Sequence, residues 1–124
     1  MRIVYVEDND ANLTLVRKVL EATGDMTVVG AQSAEEGLVL LSEAPPDVLL
    51  LDLDLPGMSG LDLARQLRAD PSLAELPIVA ISASVMKDER AKALEAGCSA
   101  FVEKPFDIRR LREIVRAAAN GTLD

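Results

Sequence analysis

The stretch Val48-Leu49-Leu50-Leu51-Asp52-Leu53-Asp54-Leu55-Pro56-Gly57 decides the fold. Four consecutive apolar residues end abruptly in an aspartate. A short, continuous apolar run of this kind is typical of a strand that is buried on both faces of a parallel sheet. Open α/β sheets bind their ligands outside the carboxyl ends of such strands. The pattern therefore predicts that Asp52 lies at a ligand-binding edge.

Polar side chains also end other apolar runs of the chain. Glu7 and Asp8 follow the first run, Ser82 ends the fourth, and Lys104 follows the fifth. If the sheet is parallel, the carboxyl ends of its strands share one edge. We therefore expect these side chains to converge with Asp52.

Five strand-like runs alternate with five helix-like segments along the chain. The strands are predicted near 2–6, 26–30, 47–52, 77–82 and 100–103, and the helices near 10–22, 34–43, 59–69, 85–96 and 107–119. Regular alternation of this kind predicts a parallel sheet with right-handed crossover connections. The fourth helix begins with a nearly all-charged segment and has few large apolar residues, which suggests weak anchoring.

Composition limits the possible functions. The chain has 124 residues, enough for one domain, and is 49% hydrophobic and 27% charged, as expected of a globular protein. Its 21 acids against 13 bases give a net charge of -8, which argues against nucleic-acid binding and against an anionic membrane surface. The sequence has no apolar run long enough to span a membrane and no signal-peptide pattern at its N-terminus. Cys98 is its single cysteine, so an internal disulfide is excluded. A cytoplasmic location is the simplest interpretation.

The acids at the predicted edge indicate a metal site. Glu7, Asp8, Asp52 and Asp54 would repel one another unless they were protonated or neutralised. A bound divalent cation would neutralise them, and an all-oxygen ligand set favours Mg²⁺, with Mn²⁺ as a possible substitute. The chain contains no histidine, which excludes imidazole-based zinc sites and histidine-based nucleophilic catalysis.

The remaining polar groups indicate phosphoryl chemistry. A carboxylate at Asp52 could attack phosphorus while the metal and the Lys104 ammonium neutralise the phosphoryl oxygens. The hydroxyl of Ser82 would face the same edge. The product of such a reaction is an aspartyl phosphate.

Four segments carry a resemblance to a known family. They are Val-Glu-Asp-Asn at 6–9, Leu-Leu-Leu-Asp-Leu-Asp-Leu-Pro-Gly-Met-Ser-Gly at 49–60, Ile-Val-Ala-Ile-Ser-Ala at 78–83, and Ala-Gly-Cys-Ser-Ala-Phe-Val-Glu-Lys-Pro-Phe at 96–106. With these segments the chain resembles a response-regulator receiver domain of two-component signalling, of the single-domain chemotaxis type. The resemblance implies a (βα)₅ flavodoxin-like three-layer sandwich, with a parallel five-stranded sheet of order 2-1-3-4-5. A receiver domain would occupy residues 1–120, and residues 121–124 would form a C-terminal tail.

The resemblance also assigns roles to the acids. Asp52 would be the phospho-acceptor. Asp8 and Asp52 would ligate Mg²⁺ through their side chains, and Asp54 through its backbone carbonyl. Glu7 would hold a metal-bound water or ligate the metal directly.

The same resemblance assigns a switch. Lys104 would contact the phosphoryl group, and its bond to Pro105 would be cis. Ser82 would move toward the phosphate, and Phe101 would turn inward as it does so. Because phenylalanine has no hydroxyl, any coupling at Phe101 must act through packing.

A signalling role follows from the resemblance. A histidine kinase or phosphotransfer protein would supply the phosphoryl group from a phosphohistidine, and a downstream protein would respond to a changed surface on helix four, strand five and helix five. The domain would act as an enzyme only in phosphorylating itself and hydrolysing its own aspartyl phosphate.

Three alternatives remain open at this point. Asp52-x-Asp54 also fits the first motif of haloacid dehalogenase phosphatases, although there the metal-binding acids should follow the motif. Counted from Asp52, an EF-hand calcium loop would have Pro56 and Leu63 at ligand positions. A receiver fold could also serve as an interaction module without phosphorylation, although the complete set of site residues argues against it.

Overall fold

Five parallel strands form a single sheet. The structure is a computed structural model that describes residues 1–55, 58–83 and 87–122. Its strands are β1 (Arg2–Val6), β2 (Thr27–Ala31), β3 (Val48–Asp52), β4 (Ile78–Ser82) and β5 (Ala100–Glu103). They are ordered β2-β1-β3-β4-β5, and every pairing is parallel. The predicted sheet and its order are therefore confirmed.

Four of the five described helices connect successive strands, and the fifth follows β5. They are α1 (Asp10–Glu21), α2 (Ala34–Glu43), α3 (Gly60–Ala69), α4 (Lys87–Glu95) and α5 (Ile108–Asn120). Pro56 and Gly57 of the opening motif, the predicted helical start at 85–86 and the last two residues of the predicted tail lie outside the described residues. Among those described, no helix combines the length and the apolar composition that crossing a bilayer requires.

The sheet separates two cores. Side chains that alternate along β1 and β3 bury Val4 and Leu49 against α2, α3 and α4, whereas Tyr5 and Leu50 face α1 and α5. Both faces of β3 and β4 are covered, so every residue of these two strands is buried. This explains why the central strands appear in the sequence as continuous apolar runs.

Arg68, in the last turn of α3, ties together the segments that precede β4 and β5. Arg68 donates hydrogen bonds to the Gly97 carbonyl at 2.8 Å and to the Leu73 and Ala74 carbonyls at 3.2 and 3.1 Å. Gly97 has φ +107°, and a Cβ there would lie 2.5 Å from the Arg68 side chain. Burial raises the pKa of the neighbouring Cys98 thiol to about 11, so Cys98 is a packing residue.

Replacing Leu50 by alanine should destabilise the fold. Leu50 is fully buried, and a Leu→Ala cavity in a packed core costs roughly 2–5 kcal/mol. Leu15→Ala is the matched control, because Leu15 is 56% exposed. Urea unfolding monitored by circular dichroism would measure both. Equal losses of unfolding free energy in the two variants would contradict the packing described here.

Candidate functional site

Three acids from two strand ends form one cluster. Glu7 and Asp8 follow β1, and Asp52 is the last residue of β3. Strand pairing places Val6 opposite Leu51, so these ends lie side by side. One carboxylate oxygen of each acid lies within 4.8 Å of the others. The predicted convergence of Glu7, Asp8 and Asp52 is thus present in the structure.

Lys104 joins this cluster from the end of β5. Its Nζ lies 3.0 Å from Asp52 Oδ2, 3.8 Å from Asp54 Oδ2 and 4.0 Å from Glu7 Oε2. A hydrogen bond from the Lys104 amide to the Ser82 carbonyl, 2.9 Å long, ties this loop to the end of β4. The peptide bond between Lys104 and Pro105 is cis.

Asp54 differs from the other acids in the direction of its side chain. Its Oδ1 accepts a hydrogen bond from the Ser82 hydroxyl at 3.2 Å, and its Oδ2 accepts one from the Ala83 amide at 2.9 Å. The Asp54 amide donates to Asp52 Oδ1 at 2.8 Å. The Asp54 carboxylate therefore binds the β4 end and is outside the three-acid cluster. A metal-ligating role for Asp54 would have to use its backbone.

Glu7 is the least satisfied group of the site. Its side chain is 1% exposed, and its Oε1 accepts a hydrogen bond from Asn12 Nδ2 at 2.9 Å. Its Oε2 is buried and has no hydrogen-bond donor among the described residues. An unsatisfied, buried carboxylate oxygen needs either a proton or a cation.

The pKa values of the two buried carboxyl groups, Glu7 and Asp52, are shifted in opposite directions. Burial, followed by the interaction with Asp52, raises the pKa of Glu7 from its ordinary value of 4.5 to about 7. Burial also acts to raise the pKa of Asp52. Hydrogen bonds with protonated Glu7, the Asp54 amide and Lys104 outweigh that effect and hold the Asp52 pKa below its ordinary value. Without a metal, the site keeps Asp52 ionised and places the proton on Glu7.

Lys104 stays charged in this environment. Burial opposes its charge, but the hydrogen bond to Asp52 and the nearby acids raise the pKa of the ammonium above its ordinary value. The arrangement thus supplies an ionised carboxylate, a fixed ammonium and an all-oxygen ligand set at one sheet edge. Such a set fits a hard divalent cation and a phosphoryl group.

Phe101 and Ser82 occupy neighbouring strands. Phe101 is 7% exposed and packs in the core on the α4 side of the sheet. Strand pairing places Phe101 opposite Ala80, two residues before Ser82. The ring is therefore already inward in this structure.

Two contacts of the site were not predicted from the sequence. Asn12, in the first turns of α1, orients Glu7, and Arg90 of α4 lies 5.9 Å from the centroid of the Phe101 ring. The position of Asn12 in the first turn of α1, five residues after Glu7, predicts that the two side chains can lie near each other. No sequence signal identifies the Arg90 contact.

Comparisons with known proteins agree with this geometry. The sequence profile of the response regulator receiver domain matches residues 3–116. The chain is 35% identical over 115 residues to the polar-differentiation response regulator DivK of Brucella ovis, covering 93% of each chain, and 34% identical to DivK of Brucella anthropi with the same coverage. The chain belongs to the response regulator receiver domain family, whose members are switches in two-component signalling.

Solved structures give the same result. A response regulator from Chloroflexus aurantiacus superimposes with a TM-score of 0.91 at 29% identity, covering 96% of this chain and 97% of that one. The receiver domain of a histidine kinase from Syntrophus aciditrophicus gives a TM-score of 0.89 at 26% identity, covering 97% and 90%. The phosphatase and EF-hand alternatives are set aside, because the family match spans nearly the whole chain and Asp52 ends a strand.

Removing the Glu7 charge should change how stability depends on pH. Between pH 4.5 and about 7, the folded state holds a proton on Glu7 that the unfolded state has lost, so the unfolding free energy falls as pH rises through this window. In metal-free buffer, Glu7→Gln should therefore be more stable than wild type at pH 8, by roughly 1–3 kcal/mol, and about equal at pH 5. Urea unfolding with a chelator present measures this difference.

The control is Glu103→Gln, which removes an exposed charge at the end of β5. It should leave the pH dependence of the wild type unchanged. A Glu7→Gln stability difference that is the same at pH 5 and pH 8 would contradict the proton assignment.

Proposed function

We propose that this receiver domain accepts a phosphoryl group on Asp52 in a reaction that requires Mg²⁺. The observation that carries this proposal is the Lys104 ammonium 3.0 Å from an ionised, buried Asp52, beside the unsatisfied Glu7 oxygen. A buried carboxylate oxygen without a hydrogen-bond donor, within a cluster of three acids, favours a bound hard cation over a purely structural ion pair.

The metal would be held by acids of two strand ends. The Asp8 and Asp52 side chains and the Asp54 backbone carbonyl are the proposed ligands, with Glu7 holding a metal-bound water or the ion itself. When bound, Mg²⁺ neutralises charge on the phosphoryl oxygens. Manganese could replace it at the same oxygen ligands.

The transfer itself uses the residues of the chain. An Asp52 carboxylate oxygen attacks phosphorus of a phosphohistidine, the P–O bond forms as the P–N bond breaks, and the imidazole nitrogen keeps the bonding electron pair and takes a proton from solvent. Lys104 neutralises a phosphoryl oxygen and is positioned for this before the donor arrives. Hydrolysis of the aspartyl phosphate by water returns Asp52 and inorganic phosphate.

The switch would follow from a change of partners at Ser82. Its hydroxyl contacts the Asp54 carboxylate in this structure. A phosphoryl group on Asp52 adds about -1.5 to -2 charges and strong acceptors, so Ser82 would exchange one acceptor for another. Through Phe101, this movement would change the surface made by α4, β5 and α5, which controls the downstream protein partner. A cytoplasmic location remains a prediction.

The phosphodonor would dock at a groove beside the acids. This groove, about 420 Å³ in volume, lies between α1 and α5 and is lined mainly by Asn12, Leu15, Val19, Lys104, Phe106 and Ile108. Since Asp52 is only 2% exposed, a phosphohistidine can reach it only from a protein seated close by. The groove is continuous with the site through Lys104 and Asn12. A histidine kinase or phosphotransfer protein is therefore its proposed occupant.

Phosphorylation can be measured directly by intact mass. Treated with acetyl phosphate and Mg²⁺, the wild type should gain one base-labile phosphoryl group, because Asp52 is an ionised nucleophile beside Lys104. Asp52→Asn should gain none, and Asp8→Asn, which keeps the nucleophile but loses a metal ligand, should gain it much more slowly. A wild type that gains no mass would leave the non-phosphorylated interaction module as the function.

A charge placed in the groove between α1 and α5 should slow phosphoryl transfer from a protein donor but not from a small-molecule donor. Leu15→Glu should slow transfer from a phosphorylated histidine phosphotransfer protein by about tenfold, because it puts an acid on the apolar docking surface. Uptake from acetyl phosphate should not change. Val39→Glu, at an equally exposed apolar position on α2 (55% against 56%), is the matched control. Equal slowing by both variants would contradict the assignment of the groove.

A further inference from the structure

A second groove lies over the edge strand, between α4 and α5. It has a volume of about 530 Å³ and is lined chiefly by Arg90, Leu94, Ala100, Phe101, Arg110 and Ile114. Apolar side chains form its floor, and Arg90 and Arg110 are exposed at its rim. The groove belongs to the surface assigned above to the downstream partner.

Helix α4, which forms one wall of this groove, buries few apolar side chains against the rest of the domain. Among the α4 side chains whose burial the structure describes, residues 88–95, only the small Ala93 is buried, while Leu94 is 50% exposed. A helix with so little buried apolar area can shift at low cost. An exposed leucine beside a concave apolar floor offers a contact that folding of this chain does not use.

Arg90 connects the groove to the switch. Its guanidinium lies 5.9 Å from the Phe101 ring centroid, which is within cation–π range. Phe101 has no hydroxyl through which to signal, so this contact and the packing around it are how the ring communicates with α4. A shift of the ring therefore moves a positive charge at the rim.

The charge of the groove is opposite to that of the chain. Although the chain carries a net charge of -8, α5 contains four arginines and one acid. Arg112 and Arg116 contact the α1 side, through the Val19 carbonyl and Asp25. Arg110 instead lines the groove together with Glu113, and the exposed contact of 3.8 Å between them is worth little. With Arg90, the groove therefore holds two cations against one acid.

We infer that this groove binds an acidic segment of the downstream protein, with an apolar side chain laid against Leu94 and Phe101 and carboxylates paired with Arg90 and Arg110. The inference rests on the proposed function, because it names the chemistry of that partner. Two arginines on opposite sides of an apolar floor match a short amphipathic segment. An extended polyanion such as nucleic acid would meet the overall negative charge of the domain.

A pair of designed peptides tests the charge preference. Both are labelled helices of roughly four turns with leucines on one face, and they differ only in carrying glutamate or lysine on the other faces. Each is titrated by fluorescence anisotropy into the protein activated with beryllofluoride and Mg²⁺, and amide shifts are recorded in parallel. The glutamate peptide should bind, with shift changes centred on Leu94, Phe101 and Ile114. Equal or tighter binding of the lysine peptide, or shifts centred elsewhere, would overturn the inference.

Charge-reversal variants test the two arginines. Arg90→Glu and Arg110→Glu should each weaken binding of the glutamate peptide about tenfold. Lys92→Glu makes the same charge change on α4, at a residue paired with Asp88 at 3.1 Å rather than lining the groove, and should change affinity less than about twofold. Equal effects of all three variants would show non-specific attraction and reject the site. Sedimentation without peptide would reveal a second copy of the chain as the occupant, which also rejects it.

Intact mass on the same samples separates this inference from the function on which it rests. Both arginine variants should accept the phosphoryl group as the wild type does. If the wild type is phosphorylated but does not bind the glutamate peptide, the acidic-partner inference is refuted and the proposed function is not. A wild type that gains no mass refutes the proposed function, whatever the peptides do.

Discussion

The contact between Lys104 and Asp52 holds the functional end of this molecule together. Parallel pairing of β1 with β3 brings two strand ends and their three acids to one edge, where like charges at short range would oppose folding. The half-buried Lys104 ammonium 3.0 Å from Asp52 offsets part of that repulsion, and a proton on Glu7 removes another part. What remains is a compact set of three acids, at which the proposed Mg²⁺ would neutralise the rest of the repulsion.

The order of the sheet could be predicted from the sequence only with help from the family resemblance, whereas the strands themselves could be predicted from pattern. Buried central strands such as β3 leave a continuous apolar run, and an acid at its end is conspicuous. The predicted helix limits lie close to the observed ones, because capping residues such as Ser33 and Asp107 mark where helices begin.

Side-chain directions at the site were harder to predict. Asp54 looked like a fourth member of the acid cluster, but its carboxylate turns to Ser82 and the Ala83 amide, because these are the donors the β4 end presents. The Arg90 contact with Phe101 depends on how α4 docks on β5. Because α4 has almost no apolar pattern, its sequence does not reveal which face packs against the strand.

Strand β5 joins the two proposed protein surfaces. Phe101 faces the α4 side of the sheet, Val102 faces the α1 and α5 side, and Lys104 follows at the acid edge. The groove between α1 and α5, proposed for the phosphodonor, reaches Lys104 from one side of the sheet. The groove between α4 and α5, proposed for the acidic partner, reaches Phe101 from the other side. An edge strand pairs on one side only, so it is the strand best able to move with a change at its end without disturbing the centre of the sheet. Under the proposed function, β5 would carry a change at Lys104, which follows the strand, to Phe101 within it.

Anomalous diffraction from crystals grown with Mn²⁺ and beryllofluoride tests the central claim most directly. The ion should appear as a single strong peak in contact with the Asp8 and Asp52 carboxylates and the Asp54 carbonyl, with the fluoride group on Asp52 reached by Lys104. A peak bound elsewhere, or a well-ordered acid cluster that stays empty at saturating Mn²⁺, would contradict the proposed site.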